Sequence, residues 1–145
     1  MATVEPIDDK EYTECMEQLK AEHNTDELLT FSEMDITDKL SKNSWLVMQY
    51  TELWQKEKNN LDKMNELKEQ IIGGLYLKYK KEEPLMLKMT EFEKYYVPSS
   101  PDVMKINRLI RKQGWRVSFF ASVKNALEKM TWNMKNFMEI KQKGL

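Results

Sequence analysis

The stretch that decides the fold is residues 37–81, TDKLSKNSWLVMQYTELWQKEKNNLDKMNELKEQIIGGLYLKYKK. Apolar residues return at every seventh position, Leu40, Val47, Trp54 and Leu61, and a second row runs through Tyr50, Met64 and Ile71. A seven-residue repeat keeps one helix face against a neighbour over many turns, so this pattern predicts a long amphipathic helix with a buried seam. Gly73-Gly74 is its flaw, because each glycine inside a helix costs about 1 kcal/mol relative to alanine. The pair predicts either a kink or the close approach of another backbone or a ligand. The apolar row continues through Ile71, Leu75 and Tyr79, which favours a kinked continuation over a stop. Glu82-Glu83-Pro84 ends the helix, since proline pushes the residue before it out of the helical region.

Upstream, Asp8 with Glu11 three residues on reads as an acidic variant of a capping box, after a disordered start over residues 1–7. A short helix from Asp9 to about Glu22 puts Tyr12, Cys15, Met16 and Leu19 on one face, and it needs docking to be stable. Asn24-Thr25-Asp26 opens another turn carrying Leu28, Leu29 and Phe31, and Asp35 or Thr37 caps the long helix. Downstream, Leu85, Leu87 and Met89 alternate with Met86 and Lys88 as an extended segment would. Thr90 is expected to cap a turn through Phe92, Tyr95 and Tyr96 that Pro98 breaks.

Ser100-Pro101-Asp102 is a strong helix start, with a capping serine and a proline at the first helical position. The helix it opens is expected to run toward Lys143, where Lys141 and Lys143 suit the negative end. Its seam is Val103, Ile106, Ile110, Val117, Phe120, Leu127, Met134 and Met138, beside a second row of Leu109, Val123, Met130 and Phe137. Two apolar faces call for two partners, the 37–81 helix and a second copy of the chain. Gly114 marks a close approach or a bend. The expected architecture is mainly α: a long antiparallel helical hairpin with a short irregular or extended middle segment. Residues 1–36 form an acidic arm with a short helix, and residues 37–145 form the helical body.

A chain of 145 residues is long enough for one domain with its own core, and only four Gly and four Pro favour helix over sheet. Eleven Met residues suit adaptable packing, within the core or between subunits. The net charge of −1 hides an asymmetry. Residues 1–40 carry twelve acids and three bases, and the remainder carries twenty bases and twelve acids. A basic body implies an anionic partner. The arm either competes with that partner, meets a basic protein, or serves solubility. Cys15 is the sole cysteine, which excludes an intrachain disulfide. No apolar run reaches the ~20 residues of a membrane span, and the N-terminus lacks a signal-peptide pattern, so a soluble intracellular protein with no membrane partner is expected.

Catalytic patterns are missing. His23, the one histidine, falls in an acidic turn read as exposed. No paired-cysteine or HExxH pattern offers a metal site, no GxxxxGK[ST] or GxGxxG loop cradles phosphate, and Ser and Thr lack a base partner. The sequence therefore reads as non-enzymatic, with no cofactor and no metal. Binding remains. Tyr76, Lys78, Tyr79, Lys80 and Lys81 set rings beside cations, the combination by which single-stranded nucleic acid is held: ammonium groups on phosphates, rings on bases. Tyr76 and Tyr79 read equally as core residues. In a second basic set, Lys105, Arg108, Arg111, Lys112 and Arg116, the steps 105→108→112→116 lie along one helix face, and the set reads either as a DNA contact or as a solvated surface. Trp115 beside it either stacks a base or is buried.

The chain resembles the T4-type phage recombination mediator family UvsY over roughly residues 26–144. One part of the likeness is the leader Phe31-Ser32-Glu33-Met34-Asp35-Ile36-Thr37-Asp38-Lys39-Leu40, similar to the family's acid–Ile–Asp lead-in to its long helix. Another is the Tyr50-to-Lys81 helix closing on Leu75-Tyr76-Leu77-Lys78-Tyr79. The third is Trp132-Asn133-Met134-Lys135-Asn136-Phe137-Met138-Glu139 near the end. Lys78 matches the family's basic residue in the DNA-binding stretch. Tyr76 stands where the family often has Lys, with Lys80 and Lys81 as replacements. The family's Arg-Gly turn reads Met130-Thr131 here. The resemblance implies a non-enzymatic protein of the infected bacterial cytoplasm that binds single-stranded DNA. It would form a homo-oligomeric ring, hexamer or heptamer, through Trp132, Met134, Phe137 and Met138. It would load a phage RecA-like recombinase onto DNA coated with the phage single-stranded DNA-binding protein, in recombination, repair and replication. Two other readings stand beside it: a coiled-coil adaptor that binds only proteins, and a small phage protein that inhibits a host nucleic-acid enzyme.

Overall fold

The computed structural model describes residues 9–82 and 89–144. Its elements are α1 (Asp9–His23), α2 (Thr25–Leu28), α3 (Ile36–Glu82), α4 (Met89–Glu91), a π-helical turn (Phe92–Tyr96), α5 (Val97–Ser99) and α6 (Pro101–Gln142). The protein is mainly helical, with no strand among the described residues. Asp8, Pro84 and the Leu85–Lys88 part of the alternating segment lie outside the described residues.

The helix starts follow the chain's own signals. Ser100 is extended and its hydroxyl accepts from Val103 N at 3.5 Å, with Pro101 opening α6. At α3, Asp35 rather than Thr37 stands before the first helical residue, and its backbone oxygen accepts from Lys39 N at 2.9 Å. The Asp35 carboxylate reaches back instead, accepting from Ser32 N at 2.6 Å, so it fixes the approach to the helix. Asn24 takes a left-handed conformation (φ 47°), which separates α1 from α2, and Asn tolerates it better than most residues.

α3 and α6 pack along their lengths, and the deepest row on each is a strict heptad. On α3 it is Ile36, Asn43, Tyr50 and Glu57; on α6 it is Ile106, Gln113, Phe120, Leu127 and Met134, all buried. Asn43 hydrogen-bonds to Leu127 O (2.8 Å), the Tyr50 and Phe120 rings lie 6.3 Å apart, and Gln113 Nε2 donates to Glu57 O (2.8 Å). As one number rises by seven, its partner falls by seven. Of the two rows read on α3, the second, Tyr50, Met64 and Ile71, lies in this heptad register, which also holds the polar Asn43 and Glu57, whereas Leu40, Val47, Trp54 and Leu61 are half-buried flanks. Each large apolar side chain buried in this row contributes about 1.5–3 kcal/mol.

Two apolar clusters result. The larger joins Leu19 and Ile36 to Tyr50, Phe119, Phe120, Val123, Leu127, Met130 and Met134, with Cys15, Leu28, Leu29 and Phe31 packed against it. Arm and body therefore share one core. The smaller cluster holds Tyr79, Phe92, Val97 and Val103, flanked by Ile71, Leu75, Tyr76 and Tyr96. Between them lies a polar layer in which Glu57 accepts from Gln113 and, at 2.8 Å, from Arg116.

Several expectations are corrected. α3 continues through Gly73-Gly74 as the apolar row suggested, but the alternative of a close approach is not realised, since a Cβ added at either glycine would meet nothing within 4 Å. Gly114 is equally open. Thr90 lies inside α4 instead of capping a turn, and the chain stays helical past Pro98 to Ser99, with Ser100 the first extended residue. His23 is half-buried rather than exposed: its Nδ1 lies 3.0 Å from Tyr50 Oη and its ring contacts Phe119 and Phe120. On the second row of α6, Val123 and Met130 are buried, whereas Leu109 is exposed.

Candidate nucleic-acid interface

The aromatic–basic tail forms the last turns of α3, and helical geometry sorts its residues by face. Lys78, Lys80 and Lys81 are exposed. Tyr79 points the other way, 2% exposed, with its ring 5.1 Å from Phe92 and 4.9 Å from Tyr96. Of the two readings open for Tyr79, core packing is the one realised, and it ties the tail to the π-helical turn. Tyr76 is intermediate: its ring meets Phe92 edge-on at 5.5 Å, and the Lys80 ammonium lies 4.7 Å from its centroid. Tyr76 thus keeps part of its surface open with a cation already over the ring.

The π-helical turn adds a pair that the sequence reading did not single out. Tyr95 is 63% exposed and Lys94 Nζ sits 5.4 Å from its centroid. The signal was present in Lys94-Tyr95-Tyr96, which repeats the tail's ring-beside-cation pattern. Which of those rings faces outward depends on the wider π turn, which periodicity does not reveal. Val103 shares the cluster with Tyr79, so exposed Lys105, two residues on, belongs to the same end of the molecule.

Three of the remaining four members of the second basic set, Arg108, Lys112 and Arg116, are engaged by acids. Arg108 donates to Glu11, and Lys112 Nζ lies 3.9 Å from the same carboxylate. Arg116 Nη2 donates to Glu57 at 2.8 Å, and this hydrogen bond is the main reason the Glu57 carboxyl is held below its ordinary value. Arg111 is exposed, with no ion pair among the described residues. Trp115 is half-buried, its ring 5.3 Å from Tyr12 in an edge contact.

The four residues expected to assemble copies of the chain divide as well. Trp132 is 65% exposed, whereas Met134 is fully buried in the core and Met138 packs against it. Phe137 keeps partial exposure and meets Phe31 at 6.3 Å. Met134 therefore faces inward, because it completes the heptad row facing α3. Among the described residues, no group of three or more His, Cys, Asp or Glu is arranged to hold a metal, and no helix is long and apolar enough to cross a membrane. No protein-family model, curated protein or solved structure matches the chain.

Proposed function

We propose that the protein is a non-enzymatic recombination mediator that binds single-stranded DNA and helps load a RecA-like recombinase onto DNA coated with a single-stranded DNA-binding protein. The observation that carries the DNA-binding part is the exposed set Lys78, Lys80 and Lys81 around the last turns of α3, with Lys80 over Tyr76 and with Lys94–Tyr95 and Lys105 at the same end. Cations neutralise phosphates, and the open ring surfaces of Tyr76 and Tyr95 stack on bases, at roughly 1–3 kcal/mol per base. The recombinase and the single-strand binder enter through the sequence resemblance alone. In this reading α3 and α6 form an antiparallel hairpin, supported by the pairs 43/127, 50/120 and 57/113. The hairpins assemble into a ring, hexamer or heptamer, supported by exposed Trp132 and Ile140 on α6 and by Trp45 and Met48 on α3. A ring multiplies a modest patch through effective concentration.

Lys78, Lys80 and Lys81 changed together to Ala should weaken binding of a labelled oligonucleotide and flatten log K against log salt by about 2, since each phosphate contact on a single strand contributes about 0.7. An unchanged slope in a folded variant would remove the tail from the site. The second reading, an adaptor that binds only proteins, is favoured by one observation: Arg108, Lys112 and Arg116 already face carboxylates within the chain. An oligonucleotide whose electrophoretic mobility stays unshifted at low salt would select it.

A further inference from the structure

Arg108 and Lys112 stand one turn apart on α6, and both reach one carboxylate, that of Glu11 on α1. Glu11 is no stray surface contact. Tyr12 beside it packs edge-on against Trp115, and Leu19, two turns further along α1, is buried in the main core. The carboxylate is therefore held over the two cations by a docked helix. Oxygens of one anionic group shared between a guanidinium and an ammonium are also the geometry by which a phosphate is held. The charge distribution of the sequence fits: residues 1–40 carry twelve acids and three bases, and the remainder carries twenty bases and twelve acids.

We propose that the α6 face carrying Arg108 and Lys112 is a second contact for the phosphate backbone of single-stranded nucleic acid, and that Glu11 occupies it as an internal substitute which the strand displaces. This rests on the reading of the protein as a single-stranded DNA binder, and it places a contact that is closed in the free chain beside the open one at the end of α3. The tethered carboxylate competes at a high effective concentration, so the observed affinity is what remains after that competition. Losing the Glu11 charge strengthens binding, which is the opposite of what losing a structural ion pair does.

The test is a salt series of binding to a fluorescent oligothymidylate for four variants, each checked for helix content by circular dichroism. Glu11→Gln should bind several-fold tighter than the unchanged chain at low salt, with a slope steeper by about 0.7 to 1.4, one or two added phosphate contacts. Glu14→Gln makes the same change of net charge at an exposed position of the same helix and should leave the slope alone. Adding Arg108→Gln and Lys112→Gln to Glu11→Gln should cancel its gain. Glu11→Lys should gain at least as much as Glu11→Gln, and a folded Glu11→Lys with an unchanged slope overturns the proposal. An equal gain in Glu14→Gln overturns it too, since only general charge would then be at work. The two readings separate. If the Lys78, Lys80 and Lys81 variant loses binding while Glu11→Gln gains nothing, the tail stands and this inference falls. If no variant binds, both fall.

Discussion

Glu57 is a carboxylate kept charged by its neighbours. Arg116 donates to one oxygen and Gln113 to the other, and together they outweigh the cost of burial and hold its pKa below the ordinary carboxylate range. A carboxyl whose folded pKa is lowered adds stability that is fully present above its unfolded pKa and is lost as pH falls through the folded one. Glu57→Gln should therefore cost roughly 1 kcal/mol at neutral pH, allowing for the solvent around Arg116. Its melting temperature should converge on that of the unchanged chain as pH falls through that window, and a gap that persists in acid would show that the charge is not the cause. This residue also shows where the sequence stopped being legible. Glu57, Asn43 and Gln113 occupy the deepest heptad row, yet an apolar pattern passes over them because they are polar. Their burial becomes readable only when each is seen facing a partner 56 or 84 residues away. Tyr79 carried two readings: ring-beside-cation describes a stacking residue, the apolar row through Ile71 and Leu75 a core residue, and Phe92 and Tyr96 realise the second.

At the scale of elements, the long helices were readable from period and caps alone. The expected span 37–81 became Ile36–Glu82, and the Ser100-Pro101 start of α6 stands where the residues put it. The connecting segment was less legible, because a π turn needs an extra residue per turn that no local propensity announces. Gly73-Gly74 lie in α3 with open space around both. Alanine at each should raise stability by about 0.8–1 kcal/mol, through helix propensity alone. Thermal unfolding of Gly73→Ala/Gly74→Ala should show a higher midpoint with unchanged oligonucleotide affinity. A lower midpoint would mean that the helix needs the glycines for a bend.

The whole molecule leaves apolar surface uncovered at Trp45, Met48, Trp132 and Ile140. If copies of the chain associate there, Trp132→Glu should lower the mass seen by light scattering without loss of helix, and an unchanged mass would exclude Trp132 from the contact. The layer of Glu57, Gln113 and Arg116 has a further consequence. It separates an apolar cluster built on Leu127 and Met134 from one built on Tyr79 and Phe92. Two clusters divided by a buried polar layer need not melt as one: the far end can open transiently while the near end stays closed. Amide exchange should then be faster over residues 71–82 and 89–103 than over residues 43–54 and 119–134. An oligonucleotide held by the tail should slow exchange chiefly in the first group. On this view the polar layer is a boundary of cooperativity, across which one end of the chain can order or open without re-forming the other.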